Sequence, residues 1–288
     1  MTLIWRPKLF VAQAGRRQSA ARLASSGWLP DGEPSLSLWL DASDRSTRFD
    51  SDSGGSLQLT HGGAVGRLQD KSPAARHFTQ SVAGDRPTLG ASGGDLVNGL
   101  ETLVFDWAVA DNVAGSKSLN SGAVATNVFV PTGTTAGTHD HAIFLVHQRI
   151  NAANDRRLLA DQNSGYQIKN GTTATTAQWL ITGLANTELI TGLATGVTYI
   201  LLARRLAGLE TRLSFGGGTE LVQSNAGAIG NALSGALHLP GHQTNHFKQK
   251  IRLCEMICFT GARLSTAVLN NCGRYLAAKW GAGWSALA

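Results

Sequence analysis

Several groups of residues in this 288-residue chain have types and spacings that could support chemistry. His139-Asp140-His141 alternates two imidazoles with a carboxylate. A zinc site also needs at least a third protein ligand and partners that orient the first set, and nothing nearby in the sequence supplies them. His238, His242 and His246 recur every four residues, which on a helix would line one face. Pro240-Gly241 breaks any such helix, so the spacing reads as incidental. His242 and His246 do fall in a loop just before the last strand, where binding residues concentrate. Asp41, Asp44, Asp50 and Asp52 crowd one Ser- and Gly-rich stretch. Calcium favours such oxygen ligands, and Asp41 and Asp44 are the carboxylates it would use. The stretch lacks the pattern of an EF-hand loop and interleaves Arg45 and Arg48, so its acids read first as caps of turns.

Glycoside cleavage needs two carboxyl groups roughly 5–10 Å apart, which on one strand means acids two positions apart. The apolar strand around Cys254 and Cys258 carries Glu255 alone. There is no nucleophile elbow, phosphate loop or dinucleotide fingerprint. Gly216-Gly217-Gly218 is followed by no helical pattern that would make it an anion cradle. The expectation is a protein that is not an enzyme and carries no cofactor. Among aromatics that could stack on sugar, Trp107 lies beside a polar loop. Trp39 alternates with Leu38 and Leu40 and so faces a second layer or a partner, while Trp179 reads as core. The expected glycan contacts are therefore Trp107, His242 and His246.

The elements that must position these residues are best seen at the C-terminal end. Ile251, Leu253, Glu255, Ile257 and Phe259 alternate with Arg252, Cys254, Met256 and Cys258, so neither face of the strand is wholly polar and the strand is central. After Gly261, Leu264, Val268, Cys272, Leu276 and Trp280 form an apolar helical stripe. Ser265 is placed to cap the helix, and Gly281 and Gly283 to end it. A lone amphipathic helix after a run of strands must bury its stripe on the sheet. Further strands are predicted at 36–40, 102–105, 142–146, 158–160, 165–169, 177–180, 197–204, 211–215 and 236–239, with Asn170-Gly171 as a hairpin turn. Residues 106–140, which include a strand candidate at 123–130, read as an insertion.

Composition bounds the rest. A 42% hydrophobic content supports a core, and 34 glycines suit short strands joined by tight turns. Charged residues are 15%, against a usual value of about 25%. Five of the six net positive charges lie in residues 1–30, as Arg6, Lys8, Arg16, Arg17 and Arg22, with no acid among them. That segment reads as an extended docking arm. Trp5, Phe10 and Trp28 are its apolar anchors, and Arg6, Arg16 and Arg17 its cations. No aromatic platform or motif accompanies the cations, so nucleic acid is not the expected partner. No apolar stretch approaches the ~18 residues of a membrane span, and no secretory leader is evident. Cys254, Cys258 and Cys272 have no disulfide-framework spacing and read as core.

The sequence E-M-I-C-F-T-G-A-R-L-S at 255–265, followed by G-R-Y-L-A-A-K-W-G at 273–281, resembles the last strand and terminal helix of LamG-like, concanavalin A-like jelly-roll domains. L-W-L-D-A-S-D at 38–44, V-G-R-L-Q-D-K-S at 65–72, R-H-F-T-Q at 76–80 and R-P-T at 86–88 resemble the way such domains open. Pro73-Ala74 replaces the Gly-Asn usual after D-K-S. The resemblance implies an all-β jelly-roll sandwich over 31–288, with an N-terminal extended arm over 1–30 and a C-terminal helix. Such domains are common in bacteriophage virion proteins and bacterial surface proteins. It therefore implies a virion structural protein of tail, baseplate or capsid decoration, assembled in the host cytoplasm. The arm would hold it to other virion subunits, in a homo-oligomer that meets host-surface polysaccharide. A free lectin-like module, calcium-dependent or not, is the alternative, and a polysaccharide-cleaving enzyme a third.

Overall fold

The computed structural model describes residues 27–106, 117–122, 140–151, 156–161, 166–170, 176–181, 187–190, 192–206, 210–224, 236–241, 248–261 and 264–288. Residues 1–26 of the expected arm, most of the expected insertion and its strand candidate at 123–130 lie outside this set.

In chain order the strands are β1 (Leu36–Asp41), β2 (Arg48–Phe49), β3 (Arg67–Leu68), β4 (Phe78–Thr79), β5 (Thr88–Gly90), β6 (Thr102–Phe105) and β7 (Leu119–Asn120). There follow β8 (Asp140–Arg149), β9 (Arg157–Asp161), β10 (Tyr166–Asn170), β11 (Thr176–Ile181), β12 (Thr187–Ile190), β13 (Thr198–Leu206), β14 (Glu210–Phe215), β15 (Leu221–Ser224), β16 (Leu237–Leu239) and β17 (Ile251–Gly261). The helix α1 (Thr266–Trp280) comes last. Sheet A runs β15-β14-β13-β8-β17-β6-β5, with β1 also paired to β17, and sheet B runs β12-β11-β10-β9-β16-β7-β4-β3-β2. All pairs between these strands are antiparallel. The architecture is the all-β jelly-roll sandwich with a C-terminal helix that the sequence led us to expect.

Two apolar clusters divide the molecule into three layers. Leu38, Leu40, Ile143, Leu145, Leu201, Ile251, Leu253, Met256 and Cys258 of sheet A meet Leu68, Phe78, Leu159, Tyr166, Ile168 and Leu237 of sheet B. On the other face of sheet A, Trp39, Phe144, Val146, Leu202, Ile257 and Phe259 meet Leu269, Cys272, Tyr275, Leu276 and Trp280 of α1. The strand β17 feeds both clusters, but not by the simple alternation expected. Its register against β8 slips between Leu253 and Glu255. The extra residue, Cys254, is a β-bulge, which reverses the facing of everything after it. Ile251 and Leu253 therefore point into the sandwich, while Glu255, Ile257 and Phe259 point to the helix.

The helix is capped as its sequence suggests. Ser265 Oγ accepts from Val268 N at 3.3 Å, and Gly281 closes the end in the left-handed region at φ 66°. Its buried face is Leu269, Cys272, Leu276 and Trp280, with Tyr275 beside it, and Val268 is only half-buried. Four residues overshoot a helical turn, so a strict four-residue stripe winds off the face. Alternating steps of three and four stay on it. The chain then folds back: Asn270 accepts from Leu287 N at 2.8 Å, and Ser285 N donates to Gly216 O at 2.7 Å.

Candidate functional site

The densest polar chemistry among the described residues lies between sheet A and α1. Strand pairing sets Asp41, the last residue of β1, directly opposite Glu255 of β17. Lys279, in the last turn of α1, reaches between them, with Nζ 2.7 Å from Asp41 Oδ2 and 2.8 Å from Glu255 Oε2. Glu255 is fully buried. It accepts from Trp39 Nε1 at 2.7 Å and Tyr275 Oη at 2.9 Å on one oxygen, and from Trp280 Nε1 at 2.7 Å on the other. A buried carboxylate is tolerated only when its lone pairs are satisfied and its charge is matched, and here both conditions hold.

Charge and burial compete at all three ionisable groups. Burial raises the pKa of Asp41, but Lys279 and then Lys71 outweigh it and hold the carboxyl below its ordinary value. Burial opposes the Lys279 ammonium, yet Glu255 and Asp41 together raise its pKa. Glu255 moves the other way: burial raises it, Lys279 pulls against this, and neighbouring Asp41 pushes it further up. No acid stands two positions from Glu255 along β17, but the fold brings Asp41 beside it from the neighbouring strand β1. The signal available in sequence was an acid set in a strand apolar on both faces, which demands a buried counter-charge.

Other carboxylates brought together are likewise bridged by cations. Lys71 Nζ lies 3.3 Å from Asp41 Oδ2 and 2.8 Å from Asp44 Oδ2, so a lysine ammonium occupies the position between the two suggested calcium ligands. Asp44 also accepts from Ser46 N at 3.1 Å, and Asp50 from Ser56 N at 2.9 Å, which is the turn-capping reading of this loop. Burial raises the Asp44 pKa, but the bonds from Lys71 and Ser46 prevail and lower it to about 2. Glu210 and Glu220 share Arg212, and Glu220 also holds Arg204. No cluster of three or more His, Cys, Asp or Glu residues suited to a metal occurs among the described residues.

The turn after Gly66 is built by one side chain. Asp70 accepts from Trp39 N, Ser72 N and Arg76 N, each at 2.8 Å, and so ties the 71–76 turn to β1. Pro73-Ala74 fits because this carboxylate, rather than a Gly-Asn pair, fixes the turn.

Of the residues singled out in sequence, Trp5, Arg6, Phe10, Arg16, Arg17, Trp107, His139, His242 and His246 lie outside the described residues. Trp28 is half-buried and meets Tyr275 of α1 edge-on, with ring centroids 6.2 Å apart. Trp39 does face a second layer, which is the helix. His141 is buried, with Nε2 3.2 Å from the Tyr166 hydroxyl of the facing sheet. His238 is buried in β16, and Cys254, Cys258 and Cys272 are buried free thiols.

No protein-family model matches the chain, and no curated protein sequence matches it. Solved structures do. A GH54 α-L-arabinofuranosidase soaked with a cyclic sulfate inhibitor aligns with a TM-score of 0.54 at 12% identity, covering 92% of this chain and 66% of that one. An arabinofuranosidase complexed with arabinofuranosyl-α-1,2-xylobiose aligns with a TM-score of 0.50 at 13% identity, covering 85% and 63%. The binding domain of botulinum neurotoxin DC in complex with SialylT aligns with a TM-score of 0.49 at 10% identity, covering 84% and 52%. The chain thus spans between 52% and 66% of the length of these three matches. At such identities the likeness to the two arabinofuranosidase structures establishes the fold, a β-sandwich, and nothing further.

Proposed function

We propose that this chain is a non-catalytic, glycan-binding β-sandwich module held on a larger assembly by its N-terminal segment. The observation that carries the reading is the state of the acids. The described carboxylates that stand side by side, Asp41 with Glu255, Asp41 with Asp44 and Glu210 with Glu220, are each bridged by a lysine or arginine. A glycosidase needs one carboxyl free to give a proton and another free to attack or to activate water. Bridged acids serve the scaffold instead. The fold is shared with an arabinofuranosidase solved in complex with arabinofuranosyl-α-1,2-xylobiose, which supports sugar as the ligand class. Trp107, His242 and His246 remain the residues proposed to meet it.

The larger assembly follows from the charge asymmetry of residues 1–30 and from the LamG-like resemblance of 38–88 and 255–281. We place the chain on a virion, in contact with other virion subunits and copies of itself, and facing host-surface polysaccharide. Calcium plays no part in this reading, nor does any other cofactor. A glycan array probed with the full chain, with and without EDTA, tests the binding: retained binding in EDTA is expected, and no binding to any glycan would reject it. Release of reducing sugar from envelope polysaccharide would instead make the chain an enzyme. Deletion of residues 1–26 is expected to abolish incorporation into particles while leaving glycan binding intact.

A further inference from the structure

The interior face of sheet A is apolar along its middle and polar at both ends. On β8, Ile143 and Leu145 belong to the sandwich core. His141 lies at one end of that row, and His147 and Arg149 lie at the other. At the first end the facing sheets satisfy each other, His141 with Tyr166. At the second they do not. His147 is fully buried, and neither ring nitrogen makes a well-formed hydrogen bond, the Leu145 backbone being the one polar neighbour that favours its charged form. Arg149 is also fully buried. Its Nη1 makes one long bond of 3.4 Å to Leu193 O, whereas Nε and Nη2 have no partner. Those two nitrogens form a single edge of the guanidinium, the edge that grips a planar two-oxygen anion with parallel bonds. His147 and Arg149 are two apart on one strand and so project to the same side.

The surroundings close over this pair. Tyr199 of β13 stands opposite His147 in register, with ring centroids 6.4 Å apart. Its hydroxyl accepts from Ala194 N at 2.7 Å and donates to Gly192 O at 3.4 Å. Gly196 N donates to Arg149 O at 2.9 Å. The segment 192–197 is thereby strapped across the end of β8. Arg149 makes no ion pair among the described residues, and a buried charge without a counter-charge is costly to keep.

We propose that Arg149 and His147 form an interior binding site for a small carboxylate-type anion, held by the Nε–Nη2 edge of the guanidinium and by one imidazole N–H. The edge selects a planar pair of oxygens over a spherical halide. The complete burial of Arg149 selects a small anion over a sugar, so this site is separate from any glycan surface. Burial, and then the charge of Arg149, lowers the His147 pKa to about 4. At neutral pH the ring is therefore neutral and keeps one N–H to donate.

The test uses the full chain, dialysed into chloride and then titrated with sodium formate at constant ionic strength. The expected result is a saturable rise in Tm of roughly 3 °C over chloride alone, absent in Arg149→Met. No rise, or an equal rise in the variant, overturns the site. If Arg149→Met does not fold, 13C-formate NMR with the unaltered chain decides. Saturable broadening of the formate carbon signal, not displaced by equimolar chloride, is expected. An unperturbed signal, or one that chloride displaces, overturns the proposal.

Discussion

Lys279 shows how much one side chain can hold in place. It lies between Asp41 and Glu255, and its removal leaves the buried Glu255 without a cation and Asp41 with Lys71 alone. Lys279→Met is therefore expected to cost about 3–5 kcal/mol, the usual cost of breaking a buried ion pair from one side, read as a lowered urea midpoint. Glu255→Ala should cost a similar amount, because it strands the donors of Trp39, Tyr275, Trp280 and Lys279. The buried histidines set the pH dependence. Burial first, then Arg205, lowers His141 to about 3, and burial first, then Arg149, lowers His147 to about 4, against an ordinary value of 6.5. The unfolded chain therefore takes up protons that the folded chain refuses. Stability should be intact above about pH 6.5 and fall steadily towards pH 4, by roughly 3 kcal/mol for His147 once the window is crossed. Asp44 adds a loss only below 3.8, as the pH falls towards its folded value of about 2. Urea titrations at pH 7.5, 6 and 5 separate the two, and a stability that stays flat over this range would exclude neutral, buried histidines.

At the scale of elements, β17 and α1 depend on backbone details that carry no side-chain signature. The bulge at Cys254 turns Glu255 towards Lys279. Deleting Cys254 removes the extra residue yet leaves Leu253 and Glu255 on opposite faces, so cooperative unfolding should persist, and Cys254→Ala should cost only about 1–2 kcal/mol. The returning C-terminal segment relies on two glycines. Gly217 has φ 72°, and a Cβ there would sit 2.0 Å from Ser285 O; a Cβ on Gly273 would sit 2.0 Å from the Trp284 ring. Alanine at either position should cost about 1–3 kcal/mol and alter Trp284 fluorescence. The terminal helix, its Ser265 cap and the longer strands were legible because periodicity and capping are local. The bulge was not, since one inserted residue leaves the alternation of types unchanged. The two-residue strands β2, β3, β4 and β7 were too short to show a period at all. The Asp41–Lys279 bond joins positions 238 apart, and only the pairing of the first strand with the last makes them neighbours. Of the expected glycan contacts, none falls among the described residues, so the sequence remains their only support.

For the whole molecule, charge and layering divide the labour. Residues 1–30 hold five of the six net positive charges, and the body is close to neutral. Association driven by that segment should weaken steeply as salt rises, while glycan binding by a near-neutral body should change little between 50 and 500 mM salt, a range over which the screening length falls from about 14 to about 4 Å. Parallel binding measurements over that range check the division; a common salt dependence would argue against it. One arrangement has a practical side. Trp28 rests on Tyr275 at the head of the described chain, and Leu287 bonds to Asn270 at its tail, so both extremities emerge beside α1. A tether spliced at Gly27 in place of residues 1–26, or after Ala288, leaves the outer surface of sheet B turned away from the support. Sensor chips loaded through opposite extremities should therefore report the same ligand response.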